Sequence, residues 1–348
     1  MEEDRKMTRR NLIVNAALVA TLTVGSASAQ QVPINAAGAT FPYPMYSKWF
    51  DEYRKKFPNI PINYASIGSG GGIAQVTAGT VDFGASDGPM TDMQMKEFQD
   101  KRGSAILHFP TVLGAVVPTY NIPGVTGSLN FTAEALAGIY LGKITKWDDP
   151  ELTKANPGIK LPSSNIVVVH RSEGSGTTYV WVDYLSKISK EWETKVGKAA
   201  SVNWPVGLGG KGNEGVSGSI QQTKNSIGYV ELIYAIQNKM SYGKVKNVAG
   251  EFVQASLASV TAAAAGAAMP DDFRVSITNA PGKGVYPISS FTWLLIPTKI
   301  ADPAKKKAIK DFLAWMLADG QKMTAALSYA PLPAPVVAKE LKAIDKIQ

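Results

Sequence analysis

A recurring unit constrains the fold of this chain most strongly: a short apolar segment ends in small or hydroxyl residues, and a helix-like segment follows at once. Ile34–Ala37 predicts a first strand that closes in Gly38–Pro42. From Tyr46 to Phe57, aromatic residues recur at helical spacing. Ile62–Ile67 and Val81–Ala85 predict two more strands. This β-α-β-α-β order, with glycine-rich turns between strand and helix, predicts an α/β fold with a mostly parallel sheet.

A second set of such units fills the middle of the chain. Ile166–His170 is an uninterrupted apolar strand that leads directly into Arg171–Thr178, a turn rich in glycine and hydroxyl residues. Apolar residues then recur at helical spacing from Val180 to Ile188. Long apolar strands are predicted at Ala105–Tyr120 and Val285–Pro297. The same strand-to-helix alternation therefore extends over the whole chain.

Composition narrows the chemistry that such a fold can perform. The 348 residues include no cysteine and two histidines, His108 and His170. The lack of cysteine excludes thiolate catalysis, iron–sulfur clusters and cysteine-bearing zinc sites, and two imidazoles leave little for a transition-metal centre. Charged residues make up 18% and apolar residues 45%, as in an ordinary soluble protein of about two domains. We expect no metal and no cofactor.

The first 29 residues have the three-part pattern of a secretory signal peptide. Met1–Arg10 contains four basic residues, Asn11–Gly25 is apolar or small, and Ser26–Ala29 supplies small residues before cleavage after Ala29. The apolar run is shorter than the roughly 20 residues that span a bilayer. We therefore predict export to the periplasm by a cleaved signal peptide, through either the Sec or the twin-arginine route. Because no cysteine follows the cleavage site, we expect no lipid anchor.

Three turns have the same position in the predicted fold, because each joins the end of a strand to the start of a helix. They are Thr40-Phe41, Ser175-Gly176-Thr177, and Ser69-Gly70-Gly71 within a predicted turn at Gly68–Gly72 that precedes a helix at Ile73–Ala78. Helix N-termini present unpaired N–H groups and the positive end of the helix dipole, so they bind anions. Arg171 could add one full positive charge and a two-pronged grip. Ordinary N-capping by serine and threonine explains any single turn equally well.

Taken together, these segments resemble the phosphate-binding proteins of high-affinity phosphate ABC transporters. The resemblance covers nearly all of the mature chain. It is carried by the turns above and by the segments Ala37–Pro42, Val81–Asp87, Tyr140–Asp148, Trp204–Asn213 and Ile227–Glu231. The family has a two-lobed periplasmic-binding-protein fold, in which each lobe is a mostly parallel sheet flanked by helices and the anion is held in the cleft between them.

The resemblance also implies a set of ligand contacts, matched motif by motif. From one lobe they would be Thr40, Phe41 through its backbone N–H, Ser69 and Asp87. From the other lobe they would be Arg171, Ser175, Gly176 and Thr177, with Glu173 in support of Arg171. Lobe I would comprise residues 30–112 and 285–348 and lobe II residues 113–284, so that the chain crosses the hinge twice.

The function implied is capture of inorganic phosphate in the cleft and its delivery to the permease subunits of an ABC transporter with a cytoplasmic ATPase. No bond in the ligand is made or broken, so the chain is expected not to be an enzyme. We also expect a monomer that binds no nucleic acid. A secreted phosphatase and a receptor of the same fold for another oxyanion remain as alternatives.

At Asp87, the chemistry of the side chain explains the ligand contact that the resemblance implies. An ionised carboxylate accepts hydrogen bonds and donates none, so it tolerates an oxyanion that still carries a proton. Near neutral pH phosphate carries one or two protons and sulfate none. A site that includes Asp87 should therefore reject sulfate. Without the resemblance, Asp87 would be interpreted as a turn residue before Gly88-Pro89.

Two residues depart from the family pattern. Glu173 stands where the family commonly has aspartate, and its extra methylene group changes the geometry of any pair with Arg171. Gly70 stands where a second hydroxyl commonly follows Ser69, which leaves Ser69 as the side-chain donor of that turn.

Two glycine motifs indicate other functions more weakly. Gly84–Gly88 matches the G-x-S-x-G nucleophile elbow of hydrolases, but Pro89 stands where the helix should begin. Gly207–Gly212 matches the G-x-G-x-x-G dinucleotide motif. The segment Trp204–Val206 before it is too short and proline-broken for a central strand.

Overall fold

The computed structural model describes residues 31–348, and the predicted signal peptide at residues 1–29 lies outside the described residues. The strands are β1 (Ile34–Gly38), β2 (Ile62–Ser66), β3 (Phe83–Ser86), β4 (Ile106–Asn121), β5 (Asn130–Phe131), β6 (Val167–Arg171), β7 (Leu208–Gly210), β8 (Ser226–Glu231), β9 (Ser241–Tyr242), β10 (Lys244–Lys246), β11 (Phe252–Val253) and β12 (Ser289–Pro297).

The helices alternate with these strands along the chain. They are α1 (Tyr43–Lys56), α2 (Ser69–Ala78), α3 (Asp92–Arg102), α4 (Ala133–Tyr140), α5 (Pro150–Ala155), α6 (Gly176–Ile188), α7 (Lys190–Lys195), α8 (Gly212–Gln222), α9 (Leu232–Gln237), α10 (Leu257–Ala265), α11 (Pro303–Ala318) and α12 (Ala334–Ala343). Short 3-10 turns follow at Gly320–Met323, Ala325–Leu327 and Ile344–Lys346. Within residues 31–348, no helix has the length and apolar character needed to cross a membrane.

One long sheet organises the molecule, with the strand order β2-β1-β3-β12-β4-β8-β6-β7. β1 pairs in parallel with β2 and β3 at one end, and β6 pairs in parallel with β7 and β8 at the other. The antiparallel pairs of this sheet all involve β4 or β12. The prediction of an α/β fold is confirmed, and the sheet of the described residues is mixed, with four parallel and four antiparallel strand pairs.

Strand β4 belongs to both halves of this sheet. Its first part, Ile106–Ala115, pairs with β12, and its second part, Val116–Asn121, pairs with β8. We call β1, β2, β3, β12 and the first part of β4 the first half-sheet, and the remainder of the sheet the second half-sheet. The backbone N–H of Val116 also donates to the carbonyl of Ile288, just before β12 (2.9 Å). Strand β4 thus joins the two half-sheets.

Helix α1 shows how the sequence pattern determines packing. Its aromatic face is buried, with Tyr46, Trp49 and Tyr53 each at most 1% exposed. The Trp49 indole N–H donates to the carbonyl of Gly320 (2.8 Å). The helix ends at Lys56, two residues before Pro58, as proline requires.

The start of α2 differs from the prediction. The sequence predicts a turn over Gly68–Gly72 and a helix from Ile73, but the helix begins at Ser69. Gly68 alone makes the turn, with a φ of 90°. A Cβ atom on Gly72 would lie 2.6 Å from the Cα atom of Gly38. The close approach of α2 to β1 thus requires glycine inside the helix, and packing outweighs the poor helix propensity of glycine.

Candidate functional site

The turns that end β1, β2 and β3 meet the turn that ends β6 at one place. Ser69 Oγ, at the start of α2, accepts hydrogen bonds from the backbone N–H groups of Asp87 (3.2 Å) and Gly176 (3.0 Å). The backbone N–H of Gly70 donates to the carbonyl of Gly174 (2.8 Å). The structure therefore brings together the predicted residues of the first half-sheet and those that follow β6 in the second.

Three buried tyrosine hydroxyls hold the turn between β1 and α1. They donate to three successive carbonyl oxygens: Tyr64 to Ala39 (2.8 Å), Tyr234 to Thr40 (2.6 Å) and Tyr329 to Phe41 (2.5 Å). Burial raises the pKa of all three phenols far above the ordinary value, so they remain protonated donors. With its carbonyl groups held in this way, the turn has a fixed backbone orientation.

The same turn is poor in backbone donors, and this directs attention to Phe41. Pro42 and Pro44 have no N–H group. The N–H of Tyr43 donates to the carbonyl of Thr40 (3.1 Å). The N–H of Phe41, directly before α1, has no hydrogen-bond partner among the described residues, and it is the backbone contact that the family motif predicts.

Asp87 follows β3 and is 1% exposed. Thr292 Oγ1, on β12, donates to Asp87 Oδ1 (2.9 Å). Burial raises the pKa of the Asp87 carboxyl to about 7, although the hydrogen bond from Thr292 and the charge of Arg171 act in the opposite direction. The carboxyl of Asp87 therefore changes its protonation near neutral pH.

Arg171 is the buried positive charge of the site, with 3% of its surface exposed. Its Nη1 donates to Thr177 Oγ1 (3.1 Å), and its Nε donates to Glu173 Oε1 (2.9 Å). Its Nη2 contacts the same carboxylate oxygen. The pair therefore forms despite the longer glutamate side chain.

The Arg171–Glu173 pair uses one oxygen of the carboxylate. Glu173 Oε1 also accepts the backbone N–H of Gly212 (3.0 Å), whereas Oε2 is buried with no hydrogen-bond partner in the described part of the chain. Burial alone would raise the pKa of Glu173, but the hydrogen bonds and charge of Arg171 outweigh it and lower that pKa. Glu173 stays ionised and offsets part of the charge that Arg171 presents.

The N-terminus of α6 combines capping with an anion-binding geometry. Ser175 is the N-cap residue, and its Oγ accepts the backbone N–H of Thr178 (3.0 Å). Capping is therefore the correct interpretation of that contact, while the proton of the Ser175 hydroxyl is left to donate. A Cβ atom on Gly176 would lie 2.5 Å from Ser69 Oγ. This helix start approaches the first half-sheet so closely that it requires glycine.

The second departure from the family pattern, Gly70, has a steric explanation. A Cβ atom on Gly70 would lie 3.0 Å from the Cα atom of Gly174. Real Cβ contacts are rarely this short, so a serine at position 70 would force the two turns apart. The chain has a backbone contact here where the family commonly has a hydroxyl.

Sequence reasoning missed several residues that contact the predicted site, among them Asn213 and Thr292. Asn213 is fully buried and donates to Thr40 Oγ1, and Thr292 donates to Asp87. Asn213 ends the motif Trp204–Asn213, but nothing in that motif assigns it a contact. Thr292 is a polar residue inside an apolar strand, which is a signal that could have identified it.

The weaker motifs lack the geometry that their functions need. Within the hydrolase-like motif, Ser86 Oγ donates to the carbonyl of Gly88 (2.5 Å). His108 Nε2 accepts the N–H of Met90 (3.0 Å), and burial lowers its pKa to about 3. The dinucleotide-like motif contains the edge strand β7, so no strand precedes it in the required way. Residues 31–348 contain no cluster of three or more metal-ligating side chains.

Known proteins resemble this chain over most of its length. A PBP superfamily domain matches residues 23–320. A protein of Xylella fastidiosa named phosphate-binding protein PstS is 48% identical over 317 residues, which cover 90% of this chain and 85% of that protein. The PstS protein of Pasteurella multocida is 44% identical over 336 residues, 96% of this chain and 94% of its own. This chain belongs to the PstS family of phosphate-binding proteins.

Solved structures extend the PstS likeness to the fold. The periplasmic phosphate-binding protein PfluDING, solved with phosphate, superposes with a TM-score of 0.72 at 22% identity and covers 89% of this chain and 93% of its own. A phosphate ABC transporter substrate-binding protein of Clostridium perfringens gives a TM-score of 0.63 at 18% identity, with 87% and 100% covered. At such identities the likeness shows the shared fold alone.

Proposed function

We propose that this PstS family member binds inorganic phosphate between its two half-sheets. The ligand contacts are Thr40, Phe41, Ser69, Asp87, Arg171, Ser175, Gly176 and Thr177, with Glu173 in support of Arg171. The observation that carries the proposal is one buried carboxyl, Asp87, among N–H and hydroxyl donors from four turns. Such a set matches an anion with several acceptor oxygens and one proton.

Asp87 provides the selectivity between phosphate and sulfate. When it is ionised, it accepts the proton that phosphate retains near neutral pH. Sulfate has no proton, so a sulfate oxygen would face the carboxylate acceptor to acceptor. A buried contact of this kind is unfavourable because water cannot screen it. The site therefore distinguishes two anions of similar shape by their protons.

The lobes that close on the anion are residues 30–112 with 285–348, and residues 113–284. This division places the two hinge crossings next to each other, in β4 and in the chain that leads into β12. It is supported by the change of partner along β4 from β12 to β8, which occurs between Ala115 and Val116, three residues beyond the proposed boundary. A ligand that contacts both lobes favours the closed form by its differential affinity for it.

We further propose that the protein is exported by its signal peptide and acts as a free monomer in the periplasm. There it delivers phosphate to the permease subunits of an ABC transporter with its cytoplasmic ATPase. Binding and release make and break no bond in phosphate, so the protein is not an enzyme. The relatives named phosphate-binding protein support transport over hydrolysis.

A titration of the purified mature chain tests this function. Phosphate, arsenate and sulfate are added at pH 8 while tryptophan fluorescence is followed, with isothermal calorimetry as a second readout. We expect phosphate and arsenate to bind tightly and sulfate to bind much more weakly. An equal response to sulfate would exclude the role of Asp87.

The phosphatase alternative is tested in the same preparation. A chromogenic phosphate ester is incubated with the protein, with and without added divalent metal ions. We expect no phosphate release above a buffer control. Turnover that is lost together with phosphate binding in a site variant would establish an enzyme instead.

A further inference from the structure

Asn213 lies between two hydroxyl groups of the site that come from different half-sheets. Its Nδ2 is 2.7 Å from Thr40 Oγ1 and 3.3 Å from Thr177 Oγ1. Its backbone N–H also donates to Thr40 Oγ1 (3.2 Å). Asn213 is completely buried at the start of α8 and is absent from the predicted ligand contacts. Asn213 thus connects a hydroxyl of the first half-sheet to a hydroxyl of the second.

The side-chain amide of Asn213 can adopt one orientation. Its Oδ1 lies 2.9 Å from the backbone nitrogen of Glu231. A backbone N–H donates and never accepts, so the atom facing Glu231 must be the oxygen of the amide. The NH2 group of Asn213 therefore faces Thr40 and Thr177, and it donates to both hydroxyls.

These donors determine the direction of the threonine hydroxyl protons. A hydroxyl has one proton to donate and two lone pairs that accept. Thr40 Oγ1 accepts two N–H groups, both from Asn213. Thr177 Oγ1 accepts one from Arg171 and one from Asn213. No group among these can accept in return, so each threonine must donate its own proton elsewhere.

The remaining direction for both protons is the cleft. Thr177 lies close enough to Asp87 for its side chain to lower the pKa of that buried carboxyl, which places the Thr177 hydroxyl at the site. Ser69 follows the same rule, because its Oγ accepts the N–H groups of Asp87 and Gly176. Three hydroxyls of the site are thus held as donors by N–H groups behind them.

We propose that Asn213 is a positioning residue for anion binding: it does not touch the anion, but it fixes the Thr40 and Thr177 hydroxyls as donors toward it. The inference rests on the proposed phosphate function. With both hydroxyls fixed, the lining offers donors on every side except that of Asp87. A ligand must then present acceptor oxygens in all directions but one.

The test compares Asn213→Ala in two backgrounds. In the otherwise unchanged protein, freed hydroxyls can rotate and two N–H donors are lost. We expect the dissociation constants of phosphate and arsenate to rise about 10- to 100-fold. In a Thr40→Val, Thr177→Val background the hydroxyls are already absent, so Asn213→Ala should add less than about 3-fold. Calorimetry measures all four affinities.

Each outcome of this double-mutant cycle either supports or contradicts the orienting role of Asn213. An equal loss in both backgrounds would show that Asn213 supports the fold and does not orient hydroxyls, and an unchanged affinity of Asn213→Ala would overturn the inference outright. If the unchanged protein failed to bind phosphate at all, the proposed function itself would fall. The phosphate-to-sulfate ratio should stay constant in Asn213→Ala, because Asp87 is intact.

An isosteric variant protects the test against misfolding. Asn213→Asp keeps the shape of the side chain but replaces the NH2 donor by an acceptor. The threonine hydroxyls then donate to the introduced carboxylate and turn away from the anion. We expect a larger loss of phosphate affinity than for Asn213→Ala, and again a smaller loss in the valine background. A loss of the same size in both backgrounds would contradict hydroxyl orientation.

Discussion

The turn after β3 brings a buried carboxyl to the site and the turn after β6 brings a half-buried one, and the two carboxyls behave in opposite ways. Asp87 faces hydroxyl and N–H groups, and burial raises its pKa to about 7. Glu173 shares one oxygen with Arg171, which lowers its pKa. In the proposed site, the first turn would therefore select by protonation and the second would attract by charge. Both residues are acidic, but the groups nearest to each carboxyl determine the direction in which its pKa shifts.

The largest effect is expected when the attracting turn is broken. Arg171→Ala removes the buried guanidinium and leaves Glu173 ionised without its partner. We expect the dissociation constants of phosphate, arsenate and sulfate to rise together by about 100-fold or more, measured by calorimetry. The control is Arg171→Ala with Glu173→Gln, which removes the stranded charge and should recover part of the loss. Unchanged phosphate affinity in Arg171→Ala would mean that the site is assigned wrongly.

Changing the selecting turn should alter preference more than affinity. Asp87→Asn replaces an acceptor by an amide that can donate to sulfate. We expect the ratio of phosphate to sulfate affinity to fall by about 10- to 100-fold in parallel titrations. Asp100→Asn is a matched control, since it changes the same charge in a surface pair with Lys96. An intact ratio in Asp87→Asn would refute selection by protonation.

A change of pH should reproduce part of this effect in the unaltered protein. Between pH 8 and pH 6, Asp87 gains a proton that it can donate to sulfate. We expect sulfate affinity to rise by roughly 10-fold over this interval. The histidines do not interfere, because burial lowers the pKa of both His108 and His170. A flat sulfate profile, or an equal rise in Asp87→Asn, would assign the effect to another group.

Much of the fold and most of the site follow from the sequence, for a reason visible in particular turns. The segments around Thr40, Ser69 and Ser175 combine strand ends with helix starts, and parallel strands bring such turns to one edge. Each turn can therefore be recognised from its own local sequence, and the parallel strands bring the turns together. The contact of Asn213 with Thr40 could not be inferred, because it joins residues far apart in the chain. Thr292 stands out as a polar residue in an apolar strand, but its partner, Asp87, is equally remote in sequence.

The early start of α2 was missed for a related reason. Glycines at 70, 71 and 72 argue against a helix when local propensity alone is considered. The contact of Gly72 with β1 that makes them necessary depends on how α2 lies across the sheet. A sequence pattern indicates the local conformational propensity of a segment, but it does not show the steric contacts that the segment makes with its neighbours.

A third carboxyl is buried outside the site and serves as a reference for the other two. Glu340 on α12 is 0% exposed, and neither of its carboxyl oxygens has a partner among the described residues. Burial raises its pKa well above the ordinary value. The folded form thus retains a proton that the unfolded form loses, so the stability of the fold decreases as pH rises above the unfolded value.

Replacing Glu340 should therefore stabilise the protein without changing its binding. For Glu340→Met we expect an increase of about 1–3 kcal/mol in the free energy of unfolding near pH 8, measured by denaturant titration. The gain should shrink toward pH 5, and phosphate affinity should stay constant. Glu340→Gln is the control that removes titration but keeps a polar group. A destabilised methionine variant would show that the carboxyl has a favourable partner.

The contact between Gly70 and Gly174 has a consequence for the size of the ligand. Because neither residue has a side chain, the two turns meet main chain to main chain, and a larger residue at position 70 would hold them further apart. The distance between the two turns would then limit the size of the anion that fits between them. The protein would thus gauge the radius of its anion with residues that never touch it.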